Sequence, residues 1–168
     1  MRMAIHHRIG KKVWAELKEL GCHIHEKLFL LGNLFPDLIQ SYIWRRHEYP
    51  HSREYVRKKL ISLEKKPLFF SFHLGVLTHY ICDYFCYPHS SGYNKGLIQH
   101  ILYEIRQKVP EKLYNTNLNI NAFTIEELDK LVNWYENVRA SFNDDEPDFH
   151  IAATVASNFL RTLEYAPA

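Results

Sequence analysis

The chain has 168 residues, 46% of them hydrophobic, and a formal net charge of +2 at pH 7. This length and apolar content suit one domain with a substantial core. The small net charge, without any long basic block, gives no support for nucleic acid as the main partner. The 11 histidines are unusual for this length. None of them lies in a tag-like run, so metal binding is the first expectation.

The N-terminus and the cysteines bear on location. Residues 1–7 lack the apolar stretch of a secretory signal, and the three cysteines have no framework spacing. Both features predict a cytoplasmic protein. The longest apolar run, residues 67–87, carries His73, His79 and Asp83, which would each be costly in lipid. We therefore expect a buried core helix there and no stable membrane span.

Helical periodicity runs along most of the chain, and no stretch alternates cleanly with a period of two. The predicted helices cover residues 4–20, 26–34, 49–65, 67–88, 94–108, 124–142 and 145–165. The second of them is a short segment that ends near Pro36, and residues 110–123 are predicted to form a loop. Gly21 suits a helix C-terminus, and Thr124 with Glu127 forms a capping box. The pattern predicts an all-α protein, a single compact multi-helix domain spanning residues 1–168, with a metal cluster between helices.

Two sequence pairs, His79 with Asp83 and His100 with Glu104, share one design. Each pair places a histidine and a carboxylate four residues apart, on one face of a helix. The two side chains can then bind one ion at about 2.0–2.2 Å. A single pair of this kind is more often an ordinary hydrogen-bonded or ion pair. Two pairs favour metal, because the carboxylate of Asp83 lies in an apolar segment and must be paired or metal-bound.

Further candidates lie around these pairs. His89 follows Pro88 between the two predicted helices, where it can turn back as a third ligand. Asp37 follows a proline at a predicted helix junction, and His47 and His51 flank the start of the next helix. Histidine and carboxylate ligands suit zinc, although other divalent transition metals accept the same set.

The order of these motifs resembles the zinc-dependent phospholipase C family, whose distant relatives include single-strand-specific fungal nucleases of the same helical fold. The resemblance covers about residues 1–105. It rests on the ordered set His6, Phe35-Pro36-Asp37, His51, Leu74-Gly75-x-x-x-His79-x-x-x-Asp83, Pro88-His89 and His100-x-x-x-Glu104. It implies a zinc-dependent hydrolase of phosphoric esters with two or three Zn²⁺ ions.

The resemblance also implies individual roles. One zinc would be held by His51, His79 and Asp83, and a second by His89, His100 and Glu104. A third ion would share Asp83 and be held by a histidine near the N-terminus and by the terminal amino group. His6 fits that histidine, with His7 as the alternative, and His47 is the alternative to His51. Asp37 matches the catalytic carboxylate that orients or deprotonates the attacking water, so that a metal-bound hydroxide reaches phosphorus.

The expected partner is a phosphate-ester substrate, which could be a phospholipid, a nucleotide or a small soluble ester. Aromatic residues near the site could form a membrane-contacting rim: Tyr42, Trp44, Tyr87 and Tyr93. Arginines near His51 could instead serve a nuclease, although a solvated helix face explains them equally well: Arg45, Arg46, Arg53 and Arg57. The alternative from a different class is a helical binding or regulatory protein with structural metal sites.

Overall fold

The computed structural model describes residues 1–39, 48–90, 92–93, 96–116, 118, 124–142 and 146–164. Within these ranges the chain forms α-helices and one 3₁₀ helix, Tyr87–His89, and no strand. The α-helices are α1 (Met3–Glu19), α2 (Glu26–Leu38), α3 (Tyr49–Glu64), α4 (Phe70–Tyr84), α5 (Leu97–Arg106), α6 (Ile125–Arg139) and α7 (Glu146–Glu164). The prediction of an all-α fold is confirmed. None of the helices in the described ranges is long and apolar enough to cross a membrane.

The helix bounds differ from the predicted ones most in α2, in α4, which ends at Tyr84, in α5, which spans Leu97–Arg106, and in α6. Helix α2 continues through Pro36 to Leu38, because a proline in the last turn removes only one backbone donor. Helix α4 begins at Phe70, since the preceding Phe69 adopts a left-handed φ of 59° that interrupts the helix. Helix α6 begins after the predicted Thr124 cap, whose hydroxyl accepts from the Glu127 N–H, but it ends at Arg139.

Helix α4 lies at the centre of the protein. Every residue from Leu74 to Tyr84 is buried, and the helix packs against α1, α2, α3 and α7. The apolar stripe of α1, which includes Ile5, Ile9 and Val13, is fully buried in the same core. A helix surrounded on all sides can keep a polar side chain only if that side chain has partners. The histidine and the aspartate of α4 must therefore find their partners inside the protein.

Two glycines allow α2 and α4 to touch through their backbones. A Cβ added at Gly32 would lie 2.0 Å from the Phe72 carbonyl oxygen, and one added at Gly75 would lie 2.0 Å from the Phe29 carbonyl oxygen. Real Cβ atoms do not approach backbone oxygens so closely, so neither position accepts a side chain without separating the helices. The Gly75 position lies one turn before His79, and the close approach therefore fixes where that histidine meets α2.

The Gly75→Ala substitution is expected to lower the free energy of unfolding by about 2–3 kcal/mol, because the added methyl group must push the α2 backbone away. Denaturant unfolding followed by circular dichroism measures this loss. Gly92→Ala is the matched control, since an added Cβ there meets no atom within 4 Å. Equal stability of the two variants would contradict the close approach.

Candidate metal centre

Seven of the eight predicted site residues lie in one continuous cluster. Five elements supply them: α1 has His6, the last turn of α2 has Asp37, α4 has His79 and Asp83, the 3₁₀ helix has His89, and α5 has His100 and Glu104. The ion pairs that connect the cluster are those of His6 with Asp83, His79 with Asp37 and Asp83, His89 with Asp83 and Glu104, and His100 with Glu104.

The first donor group consists of His6, Asp37 and His79, whose ligand atoms all lie within 4.8 Å of one another. The two imidazoles stack with their centroids 4.0 Å apart. The Nε2 atom of His79 lies 3.6 Å from Oδ1 of Asp37. Both rings also reach the carboxylate of Asp83, with Nε2–Oδ distances of 3.1 Å from His6 and 3.2 Å from His79.

The second donor group consists of His89, His100 and Glu104, which again lie within 4.8 Å of one another through their ligand atoms. The Oε1 atom of Glu104 is 3.2 Å from Nε2 of His100 and 3.6 Å from Nε2 of His89. The His89 ring also lies 3.6 Å from Asp83. The aspartate of α4 therefore connects the two groups.

A positive charge already lies between the two groups in this structure. The nitrogen of the Met1 α-amino group is 2.8 Å from Oδ1 of Asp83, from Nε2 of His89 and from Oε1 of Glu104. Two carboxylate oxygens and an imidazole nitrogen thus converge on one cationic atom. This is the arrangement that a cation needs in a buried setting.

Burial and neighbouring charges favour the protonation states that a metal requires. Burial is the main cause that lowers the pKa of His79, and that of His89 falls to about 4 for the same main reason. Burial alone would raise the pKa of Asp83, but its contacts with the His89 ring and the Met1 ammonium outweigh this effect and hold it well below the usual value. The His79 and His89 rings are therefore neutral and the Asp83 carboxylate is ionised at neutral pH, as metal ligands must be.

A second layer of contacts orients His79. Its Nδ1 atom lies 3.0 Å from the Asn33 carbonyl oxygen, so the Nδ1–H donates there and the Nε2 lone pair faces the cluster. The Asn33 side chain in turn donates from Nδ2 to the His6 carbonyl oxygen at 2.6 Å. One residue of α2 therefore holds the His79 imidazole directly and holds the backbone that carries the His6 imidazole. No local sequence pattern marks this residue, because its partners are 27 and 46 positions away.

The turn that carries His89 is also fixed from behind, by α6 and α7. The fully buried Asp148 accepts a hydrogen bond from the Tyr87 backbone N–H at 3.2 Å. The Nε of Arg139 lies 2.9 Å from the same carboxylate, and its guanidinium stacks over the Tyr87 ring at 4.6 Å. This ion pair anchors the first residue of the 3₁₀ helix that ends at the histidine. No sequence signal singled out either member.

The two groups fit zinc by donor chemistry and spacing. Zinc binds imidazole nitrogen and carboxylate oxygen at about 2.0–2.2 Å, which places neighbouring ligands of a tetrahedral site roughly 3.4 Å apart. The nitrogen–oxygen distances within the cluster lie between 3.1 and 3.6 Å. Small side-chain adjustments would therefore bring each set to ligand distance.

His51 lies apart from this cluster. Its Nε2 atom is 3.4 Å from Oε2 of Glu48, its ring is half exposed, and neither donor group of the described residues includes it. Its role as a ligand stays a prediction, and the histidine that joins His79 in the first donor group is His6. His7 is half-buried and belongs to neither group. His47, the alternative to His51, lies outside the described residues.

A family comparison agrees with the donor set. The protein-family model described as zinc dependent phospholipase C matches residues 5–144. The matched region holds all seven clustered side chains, whereas Asp148 lies beyond it. No curated protein and no solved structure shows significant similarity to the chain.

Substituting a clustered histidine is expected to remove zinc. His100→Gln deletes one nitrogen ligand of the second group, so zinc content is expected to fall by about one ion per chain. Elemental analysis of the purified protein measures this change. His23→Gln, at an exposed position, is the matched control. Unchanged zinc content in the His100 variant would remove that residue from the ligand set.

Removing the anchor behind His89 is expected to weaken the second site without touching a ligand. Asp148→Ala frees the Tyr87 N–H, so zinc affinity is expected to fall by about 10- to 100-fold. Competition with a chelator measures the affinity. Asp129→Ala is the control, since it breaks another arginine–aspartate pair, with Arg53 at 2.6 Å, away from the cluster. Equal affinities in the two variants would contradict the positioning role.

Proposed function

The chain belongs to the zinc-dependent phospholipase C family, and on this premise we propose that it hydrolyses phosphoric esters at the two donor groups. A single domain over residues 1–168 and a cytoplasmic location stay predictions of the sequence.

One observation carries the proposal: the cluster is closed on one side and open on the other. The side chains of His6, His79 and Asp83 are at most 1% exposed, whereas those of Asp37 and Glu104 are 24% and 28% exposed. Structural zinc sites are enclosed by their protein ligands, and catalytic sites keep a position for water or substrate. The partly exposed donors mark the side from which a phosphate could enter.

The residues that would hold the ions are the four histidines and Glu104 of the two donor groups, with Asp83 shared between the groups. Bound divalent ions supply Lewis acidity toward phosphate oxygens and lower the pKa of water. The protein's own part is to keep six ligands from four helical elements in place before substrate arrives. The contacts behind the imidazoles, from Asn33 and from the anchored 3₁₀ helix, perform this role.

Asp37 is our candidate for the residue that handles the attacking water. It lies in the last turn of α2, partly exposed, with its Oδ1 3.6 Å from Nε2 of His79. A carboxylate at the open side of the cluster can accept a hydrogen bond or a proton from water that attacks phosphorus. The P–O bond on the opposite side then breaks, and the leaving oxygen departs with a proton from solvent.

The described residues favour a phosphoester other than nucleic acid. Of the arginines that suggested a nuclease, Arg53 pairs with Asp129 and Arg57 pairs with Glu54, each at under 3 Å. Paired side chains of this kind offer little free positive charge for a phosphate backbone.

The other two arginines, Arg45 and Arg46, and the aromatic residues Tyr42 and Trp44 of the predicted membrane-contacting rim lie outside the described residues. Tyr87 and Tyr93 pack against each other, with centroids 5.3 Å apart.

Asp37→Asn is expected to keep the zinc content and to lower turnover by about 100-fold or more, because the amide cannot accept a proton from water. Hydrolysis of bis-p-nitrophenyl phosphate by the zinc-loaded protein measures turnover. Asp129→Asn is the matched control away from the cluster. Turnover in the Asp37 variant equal to that in the control would exclude this residue from the mechanism.

The same assay separates the enzyme from a protein with structural metal sites. For an enzyme, a chelator abolishes ester cleavage and added zinc restores it. For a structural role, chelation unfolds the chain and the fully loaded protein cleaves no ester. The second result would overturn the proposed hydrolase.

A further inference from the structure

Helix α5 is amphipathic, but its apolar side faces outward. Ile98 and Ile105 are 74% and 66% exposed, and Ile101 and Leu102 are also exposed. Their spacing of three and four residues places them on one face of the helix. None of the described side chains between residues 98 and 106 is buried. An exposed apolar stripe of this kind on a surface helix is typical of a binding surface.

The apolar face of α5 points outward for a clear reason. His100 and Glu104 occupy the opposite face of α5 and point into the second donor group. Because a helix can turn only one face inward, ligating the cluster forces the isoleucines outward. The stripe and the open side of the cluster therefore belong to the same helix.

We propose that the outward stripe of α5, formed by Ile98, Ile101, Leu102 and Ile105, docks the protein on an anionic lipid surface next to its active site. The inference rests on the proposed function and goes beyond it, because it names the surface through which this chain would meet lipid. A helix is about 10–12 Å across with its side chains. Docking the stripe would hold lipid headgroups within about that distance of the donor residues.

Charge beside the stripe favours an anionic lipid surface. Arg106 and Lys108 are exposed at the C-terminal end of α5, and Arg106 follows Leu102 by four residues, which puts it at the edge of the stripe. Arg2 joins them, with its Nη1 donating to the Gln107 carbonyl oxygen at 3.1 Å. Apolar side chains flanked by basic ones are the pattern of helices that lie in a membrane interface.

A second copy of the chain is a poorer occupant of the same surface. Stable protein interfaces bury about 800 Å² on each partner. One face of the ten-residue helix α5, about 15 Å long, supplies less than this area. The stripe also carries no acidic side chain that could pair with Arg106 and Lys108 of a second copy. A bilayer needs no complementary shape and attracts the same charges.

Vesicle binding tests the proposal. The zinc-loaded protein in the Asp37→Asn background, which leaves lipid uncleaved, is sedimented with vesicles of phosphatidylcholine alone or with phosphatidylserine. We expect Ile98→Ser/Ile105→Ser to weaken binding by about tenfold or more, because two inserted side chains are lost. Arg106→Gln/Lys108→Gln should weaken binding to the phosphatidylserine vesicles by about fivefold for each charge.

The matched control is Leu31→Ser/Ile61→Ser, which removes two exposed apolar side chains from α2 and α3. It should bind vesicles like the parent. Circular dichroism confirms that each variant is folded. Absence of vesicle binding by the parent, or equal binding by the stripe variant, overturns the proposal. A dimer in sedimentation velocity that the stripe variant dissociates would assign the stripe to a second copy and overturn it as well.

Failure of docking and failure of hydrolysis are separate results. If the protein binds vesicles through the stripe but cleaves no phosphate ester, the docking surface stands and the proposed hydrolase is overturned. If the protein cleaves bis-p-nitrophenyl phosphate but binds neither vesicle type, the proposed hydrolase stands and the docking surface is overturned.

Discussion

The structure depends on one buried negative charge. Asp83 lies in the most apolar helix of the protein, 1% exposed, where an ionised carboxylate without partners would be severely destabilising. Four cationic or polar groups reach it: the α-amino group of Met1 and the imidazoles of His6, His79 and His89. They come from α1 and the residues just before it, from the 3₁₀ helix and from α4 itself. The need to neutralise this carboxylate therefore explains why α1, α4 and the 3₁₀ helix converge at one point.

Converging ligands are useful only if they hold their orientation, and backbone contacts provide this. Because Gly32 and Gly75 let α2 touch α4, the Asn33 carbonyl comes within 3.0 Å of the His79 ring. A larger residue at either glycine would separate the helices and leave that Nδ1–H without its acceptor. The orientation of an imidazole in the cluster thus depends on the absence of side chains one turn away. The packing of α2 against α4 therefore also sets the orientation of the His79 ligand.

The sequence predicted the parts of the protein that depend on local spacing. Helical periodicity identified the helices, and the two i, i+4 pairs identified four donors that the structure brings into one cluster. What it could not predict depends on contacts between distant residues. Asn33 and Asp148 act on residues 46 and 61 positions away, and nothing in their neighbourhood marks them. His51 shows the converse, since motif order placed it beside His79 and the structure places it beside Glu48.

Helix α5 shows where local pattern and tertiary role conflict. Its isoleucines have the spacing of a core-facing stripe, so periodicity alone would turn them inward. The pair His100 and Glu104 lies on the opposite face, and only one face can meet the rest of the protein. The structure turns the ligands inward, which exposes the apolar side chains to water at a loss of stability. A helix that exposes its hydrophobic face in order to place two metal ligands gains from any apolar surface that covers that face. A lipid bilayer would recover the lost burial at the place where the proposed substrate lies, so that docking and catalysis would be linked through one helix.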